Sequence, residues 1–145
     1  MKIGIVSDHR GYELKKQIIK KFKECEIIDY GTDSTKSVDY PDYAFKLGKK
    51  IAKKEVDFGI AICGSGIGMS IALNKVKGVR CARVSSIKDV IYTRRDNNSN
   101  AIAFSADIKF DRVIRMVEEL INTPFSKEER HVRRINMIKE YEKNN

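Results

Sequence analysis

Apolar and polar positions alternate along the chain with two periods, one typical of buried strands and one typical of amphipathic helices. Five short apolar runs predict strands, and between them apolar residues recur every three or four positions, which predicts helices with one buried face. The predicted strands cover 2–7, 26–29, 57–62, 78–84 and 101–104, and the predicted helices cover 12–24, 42–54, 67–75, 85–95, a segment around 113–121, and 126–142. This alternation predicts a three-layer α/β/α domain with a five-stranded parallel sheet.

Length and composition narrow the picture to one domain. The 145 residues include only two prolines and no low-complexity run, so residues 1–145 are expected to fold as a single unit. No apolar run approaches the roughly 20 residues of a membrane span. The first residues turn polar too soon for a signal peptide, so a cytoplasmic protein without membrane contacts is expected.

The net charge of +9 allows two interpretations. A basic surface is typical of nucleic-acid binding. However, much of the excess is lysine scattered over the predicted helices, as at Lys15-Lys16 and Lys49-Lys50, and no aromatic stacking platform accompanies it. Solvated helix faces are the favoured interpretation, and no nucleic-acid partner is expected.

Cysteine and histidine positions indicate neither a disulfide framework nor a metal site. The three cysteines, Cys25, Cys63 and Cys81, form no CxxC pair. The two histidines, His9 and His131, are far apart and lack the spacing of zinc ligands.

The most suggestive stretch is 58–70, which is predicted to form a buried strand, a glycine turn and the first turn of a helix. Gly64, Gly66 and Gly68 allow a tight turn whose N–H groups would bind an anion, although a purely structural turn has the same pattern. Cys63 lies where the strand meets this turn. Its thiol is either a small core side chain or a partly ionised nucleophile or base.

Polar groups elsewhere are weaker candidates. Asp8-His9 follows the first strand and either transfers protons or caps the next helix. Arg130 and Arg134 are four residues apart, so they share a helix face that clamps an anion or simply faces solvent. Tyr40-Pro41 is either a rigid start of a helix or a pocket wall. Ligands of parallel sheets bind beyond the carboxyl ends of the strands, and we expect Asp8-His9, the glycine turn and Asp96-Asn97 near that edge.

Several segments together resemble one family, the B-type ribose-5-phosphate isomerases. The specific matches are Val-Ser-Asp-His-Arg-Gly-Tyr-Glu-Leu-Lys at 6–15, Ser-Val-Asp-Tyr-Pro-Asp-Tyr-Ala at 37–44, Ile-Cys-Gly-Ser-Gly-Ile-Gly-Met-Ser-Ile-Ala at 62–72, and Asn-Lys-Val-Lys-Gly-Val-Arg at 74–80. Weaker matches follow at 95–100 and 130–131. The superfamily also includes isomerases of allose 6-phosphate and galactose 6-phosphate.

The resemblance implies a Rossmann-like aldose–ketose isomerase that acts on a phosphosugar without a metal or cofactor. It also implies a homodimer or tetramer whose active sites are shared across the dimer interface, where the C-terminal helix at about 126–142 is expected to pack. Cys63 corresponds to the base that moves a proton between C2 and C1 through an enediolate. Ser65 and the loop residues Gly64, Gly66, Ile67 and Gly68 correspond to the oxyanion site. The remaining matches are substrate-binding positions: Asp8, His9, Tyr40, Asn97, Arg130 and Arg134.

Two single positions and one pair of residues depart from the family pattern. Asp96 stands where the family usually has a histidine that opens the furanose ring, and Asp107 stands where many members have a phosphate-binding arginine. Glu128-Glu129 replaces a Gly-Gly pair. These changes lie in loops that select substrate, so we expect isomerase chemistry with altered preference or altered ring opening. The rival functions are a six-carbon phosphosugar isomerase, a non-catalytic phosphosugar-binding protein, and a nucleic-acid-binding protein supported only by charge.

Overall fold

The computed structural model describes residues 1–145 and contains five strands and six helices. The strands are β1 (Lys2–Ser7), β2 (Glu26–Asp29), β3 (Phe58–Cys63), β4 (Cys81–Arg83) and β5 (Ala101–Ser105). The helices are α1 (Tyr12–Lys21), α2 (Tyr40–Ala52), α3 (Ile67–Leu73), α4 (Ile87–Asn97), α5 (Phe110–Asn122) and α6 (Glu129–Lys143). All strands are parallel, in the order β2-β1-β3-β5-β4. The predicted α/β/α fold is therefore confirmed.

The sheet is buried on both faces because each strand alternates its side chains between two apolar layers. Ile60 and Ile62 of β3 belong to the core formed with α1, α4 and α5. Ala61 and Cys63 belong to the core formed with α2 and α3. The last residue of β3 therefore directs its sulfur toward the α2–α3 side of the sheet.

Some element boundaries differ from the predicted ones for local reasons. β4 begins at Cys81 rather than 78, because Gly78 has a φ of +92° and does not continue an extended strand. α6 begins at Glu129 rather than 126, because Lys127 has a φ of +61°, which a helix does not accommodate. α1 ends at Lys21, three residues before its predicted end.

Helix α6 packs across the amino-terminal edge of the sheet. The Gly78 N–H, in the turn before β4, donates to Glu142 Oε2 at 2.9 Å. Ile135 is the only buried residue of α6, whereas Met137, Ile138 and Tyr141 expose half or more of their surface. This helix therefore presents an apolar surface that nothing in the single chain covers. None of the helices has the length and apolar character needed to cross a membrane.

Candidate active site

The turn between β3 and α3 holds a cysteine in a fixed, almost buried position. Cys63 is 5% exposed, and its Sγ accepts a hydrogen bond from the Gly66 N–H at 3.2 Å. Gly66 has a φ of +78°, and a Cβ built on it would lie 2.6 Å from the Phe104 Cα. Only glycine fits this position, and its N–H stabilises negative charge on the sulfur.

The hydroxyl of Ser65 lies at the exposed side of the same turn. Ser65 Oγ accepts from the Ile67 N–H at 3.1 Å, which leaves the hydroxyl proton free to donate outward. The N–H groups of Gly66 and Ile67 therefore already have partners within the turn. The expected anion cradle is thus partly occupied by the loop's own sulfur and hydroxyl, and Ser65 supplies a side-chain donor in its place.

Neighbouring strands fix the two carbonyl groups of this turn. Ser105 Oγ, at the end of β5, donates to the Gly64 carbonyl at 2.7 Å. Arg83 Nε, at the end of β4, donates to the Ser65 carbonyl at 3.1 Å. Both oxygens face protein donors, so the turn is held rigidly between two strand ends.

Tyr40 packs directly on the turn between β3 and α3. A Cβ built on Gly68 would lie 2.5 Å from the Tyr40 ring, so the absence of a side chain at Gly68 makes room for the aromatic ring. Tyr40 is 36% exposed and follows Asp39 at the start of α2. Tyr40 therefore begins the helix, as predicted, and its ring covers Gly68 of the turn. Its role as a pocket wall stays a prediction.

Asp8 and His9 lie beside the turn, since the Asp8 N–H donates to the Ile62 carbonyl at 3.1 Å. Asp8 Oδ1 accepts from the backbone N–H groups of Arg10 and Gly11, at 2.9 and 3.1 Å, so this carboxylate fixes the loop before α1. His9 Nδ1 accepts from the Val38 N–H at 3.2 Å. A backbone N–H can only donate, so Nδ1 carries no proton and His9 donates through Nε2.

Two charged side chains at this edge form a pair that spans the β1 and β5 loops. Arg10 Nη2 lies 3.5 Å from Asp107 Oδ2. The negative charge of Asp107 is therefore partly balanced by the adjacent guanidinium of Arg10. Arg10 and Arg83 were not among the candidate residues, because only the fold brings these loops together.

Asp96 and Asn97 lie at the opposite edge of the sheet from Cys63, so the expectation that they share its edge is wrong. Helix α4 runs back along the sheet and ends at Asn97, four residues before β5 begins. Arg80 Nε, just before β4, donates to the Asn97 carbonyl at 3.1 Å. A five-residue strand spans about 17 Å, so Asp96 cannot reach Cys63 within one chain.

Asp96 has a histidine neighbour at this second edge. His131, on the first turn of α6, has its Nε2 3.5 Å from Asp96 Oδ1 and 3.2 Å from Glu128 Oε2. The His131 side chain is 12% exposed. Arg95 also approaches Asp96, at 3.3 Å. A histidine and two carboxylates, those of Asp96 and Glu128, therefore lie close together at this edge.

The arginines of α6 belong to the same edge as Asp96. Arg130 Nη2 pairs with Glu128 Oε2 at 2.9 Å. Arg134 is exposed and forms no ion pair. Their guanidinium groups are therefore accessible from outside the chain, but they do not converge with Cys63 of the same chain.

Two arginine side chains, the half-buried Arg80 and the buried Arg94, hold the 97–100 loop. Arg80 Nη2 donates to the Asn98 carbonyl at 2.9 Å, and Arg94 Nη1 donates to the Ser99 carbonyl at 2.7 Å. Desolvation lowers the pKa of Arg80, partly offset by Glu142. Desolvation, and then the charge of Arg80, lowers the pKa of Arg94. These groups fix the backbone beside Asn97.

The third titratable group with a shifted pKa is Cys81, at the start of β4. Burial of its sulfur raises the pKa of this thiol to about 12. Cys81 is therefore a neutral structural side chain. No group of three His, Cys, Asp or Glu side chains converges closely enough to hold a metal ion.

Comparisons with known proteins place the chain in a family. The sequence model of the ribose/galactose isomerase family matches residues 3–138. The chain belongs to this family and is a sugar-phosphate isomerase. The resemblance noted from the motifs is confirmed.

Individual relatives are similar over nearly their full length. The probable ribose-5-phosphate isomerase B of Mycoplasma genitalium is 40% identical over 146 residues, covering 97% of this chain and 95% of the relative. The Clostridium thermocellum ribose-5-phosphate isomerase B structure has a TM-score of 0.95 and 39% identity, with 99% of each chain covered. The Mycoplasma genitalium enzyme with bound ribulose-5-phosphate has a TM-score of 0.93 and 38% identity, covering 99% of this chain and 97% of that chain.

Proposed function

We propose that this isomerase interconverts ribose 5-phosphate and ribulose 5-phosphate through an enediolate, with the Cys63 thiolate as base. The observation that carries the proposal is the position of the sulfur, which is almost buried at the carboxyl edge and accepts the Gly66 N–H. The names of the relatives supply the substrate. A sulfur held at a strand end that accepts a backbone N–H is a suitable base for a substrate carbon that reaches it.

The proton inventory of the reaction balances without a redox partner. The thiolate removes the proton from C2 of the open aldose, and the electron pair moves to the carbonyl oxygen on C1, giving the enediolate. The proton on O2 then moves to O1, and the thiol returns its own proton to C1, which gives the ketose and regenerates the thiolate. The free hydroxyl proton of Ser65 is placed to stabilise the oxyanion.

Three other substrate contacts, and one loop-orienting side chain, follow from the site geometry. Tyr40 and the turn from Gly64 to Gly68 would enclose the reacting end of the sugar. His9 would donate to a substrate oxygen through Nε2, because Nδ1 is already occupied. Asp8, whose Oδ1 accepts two backbone N–H groups, would orient this loop rather than move protons.

The remaining groups would come from a second copy of the chain. Asn97, Arg130 and Arg134 would contact sugar and phosphate, and Asp96 would take part in ring opening with His131 beside it. Two observations support a homodimer: these groups lie at the edge opposite Cys63, and α6 exposes an uncovered apolar side. A dimer would place one copy's amino edge against the other's carboxyl edge, with α6 at the interface. A tetramer of such dimers is compatible with the same contacts.

A six-carbon phosphosugar is the second candidate substrate. The specific observation that favours it is the carboxylate at 96 and the Arg10–Asp107 pair, which change the surroundings of the sugar from the family pattern. The proton-transfer turn is the same in both cases, so only the preference among sugars would differ.

A rate comparison across phosphosugars tests the proposal. Purified protein is assayed with ribose 5-phosphate, ribulose 5-phosphate, allose 6-phosphate and galactose 6-phosphate. The highest kcat/KM is expected for the pentose phosphates, and a preference for a hexose phosphate would establish the second candidate. Asp96→His is the companion variant: a higher turnover of ribose 5-phosphate would show that ring opening limits the natural sequence. Absence of turnover with all four sugars would refute the proposed function.

A further inference from the structure

We propose that Arg10 binds the phosphate group of the substrate at the rim of the Cys63 site, and that Asp107 weakens this binding by pairing with it. The inference rests on the proposed function, because it identifies which group of the same chain meets the charged end of the sugar.

The position of Arg10 is fixed by the loop that carries it. Its backbone N–H donates to Asp8 Oδ1 at 2.9 Å, and the next N–H, of Gly11, donates to the same oxygen. The guanidinium then lies over the catalytic turn, since a Cβ built on Gly64 would be 3.4 Å from Arg10 Nη1. The positively charged guanidinium of Arg10 therefore lies next to Gly64, the residue that follows Cys63.

Exposure separates the two ends of the site. The Cys63 side chain forms the floor at 5% exposure, whereas the Arg10 side chain is 55% exposed at the rim. A sugar phosphate that places its reacting carbons at the sulfur extends its phosphate away from the floor, toward solvent. The planar guanidinium fork matches the geometry of phosphate oxygens, so Arg10 lies where that group would emerge.

Asp107 is tied to the same turn. Its N–H donates to Ser105 Oγ at 3.0 Å, and Ser105 Oγ donates to the Gly64 carbonyl. The Asp107 carboxylate is 76% exposed and 3.5 Å from Arg10, so the ion pair is weak and a dianionic phosphate can compete for the guanidinium. Removing the carboxylate should therefore strengthen phosphate binding.

The other nearby arginine has a different task. Arg83 Nε is already engaged with the Ser65 carbonyl, and this bond holds the turn itself. Loss of Arg83 would disturb the catalytic geometry, whereas loss of Arg10 removes a rim charge. The two side chains are thus expected to differ in their effects on kcat and KM.

Inhibition by inorganic phosphate tests the proposal directly. In Arg10→Ala, the inhibition constant for inorganic phosphate and the KM for ribose 5-phosphate should both rise about tenfold, with kcat changed less than twofold. In Asp107→Asn, both constants should fall two- to fivefold. Arg115→Ala, which removes an exposed α5 arginine that forms no ion pair, is the matched control and should leave all three constants unchanged.

A ³¹P NMR titration with inorganic phosphate gives the same answer without turnover, so it decides the role of Arg10 even if the proposed reaction fails. Arg10→Lys keeps the positive charge but loses the planar guanidinium, so its dissociation constant for inorganic phosphate should lie between those of the unaltered protein and Arg10→Ala. Arg10→Lys also replaces Arg10→Ala if the alanine variant does not fold. Unchanged phosphate binding in the Arg10 variants would overturn the proposal. A fall in kcat with unchanged phosphate inhibition would also overturn it, because Arg10 would then act on the catalytic turn.

Discussion

Replacing Gly66 with alanine should damage both stability and catalysis, because two separate penalties fall on this one position. The φ of +78° is unfavourable for a residue with a Cβ, at a cost of about 1–2 kcal/mol. The added Cβ would also lie 2.6–2.8 Å from backbone atoms of Phe104 in β5. This clash cannot be relieved by moving a side chain, because the atoms that it meets belong to the backbone of a strand. Overpacking of this kind costs roughly 1–3 kcal/mol, so the expected total is about 2–5 kcal/mol.

Gly78 is a matched control for the backbone penalty. Its φ is +92°, but a Cβ there would have its nearest neighbour, Ala52, at an ordinary 3.7 Å. Gly78→Ala should therefore cost only the conformational share, about 1–2 kcal/mol. The difference between the two variants isolates the clash with the strand.

Urea unfolding at equal protein concentration gives the two free energies of unfolding. Gly66→Ala should unfold at a clearly lower urea concentration than Gly78→Ala. It should also lose at least tenfold in kcat, because the Gly66 N–H would shift from the Cys63 sulfur, whereas Gly78→Ala should keep its kcat. Equal stability losses in both variants, or a normal kcat in Gly66→Ala, would refute the reasoning.

Three further predictions concern ring opening, the shared site and alkaline stability. His131→Asn should slow turnover of ribose 5-phosphate at least tenfold but leave hydrogen exchange at C1 of ribulose 5-phosphate unchanged. The two assays differ because ribulose 5-phosphate has no free hydroxyl with which to close a furanose ring, so it needs no ring opening. Equal losses in both assays would contradict a role of His131 in ring opening. Cys63→Ala and Asp96→Ala, each expected to turn over ribose 5-phosphate more slowly alone, should regain activity when their subunits are mixed and exchanged, since one site of the mixed dimer then has both groups; no recovery would argue against a shared site. Because the Cys81 thiol has a pKa near 12 in the folded chain and 9.0 as its ordinary value, the folded state keeps a proton that the unfolded state loses, so stability falls as pH rises between these values. Cys81→Ala should remove up to about 1.4 kcal/mol per pH unit of this slope in urea unfolding, and identical slopes would show that the sulfur is not desolvated.

The parts of the fold that depend on local pattern could be predicted from the sequence. Ile60 and Ile62 indicated a buried strand, and the glycines after Cys63 indicated a sharp turn, because both signals lie within one short segment. The start of α6 after Lys127 and the start of β4 after Gly78 could not be predicted, since a residue with positive φ leaves little trace in the hydrophobic pattern.

The position of Asp96-Asn97 shows how a motif can mislead. Its polar residues resemble a loop at the carboxyl edge, but the segment ends a helix that returns along the sheet, so it lies at the amino edge. The chain order of α4 and β5 contained this information, because a helix that precedes a parallel strand ends where that strand begins.

Contacts between distant loops could not be predicted at all. The Arg10–Asp107 pair and the Val38–His9 hydrogen bond join residues that no periodicity relates. The ion pair depends on the strand order, which brings the ends of β1 and β5 to either side of β3. The hydrogen bond joins the loops that follow the neighbouring strands β1 and β2. The charges and tautomers that shape the site therefore emerged only from the tertiary structure.

The most direct test of Cys63 as the base is hydrogen exchange at C1 of ribulose 5-phosphate in heavy water, compared between the unaltered protein and Cys63→Ala. The unaltered protein should exchange this hydrogen, and Cys63→Ala should exchange it at least about a hundredfold more slowly while still binding the sugar phosphate in a ³¹P NMR titration. Cys25→Ala, at a half-buried thiol outside the site, is the control and should exchange at the normal rate. Exchange by Cys63→Ala at the normal rate would contradict the assignment of the thiolate as the base.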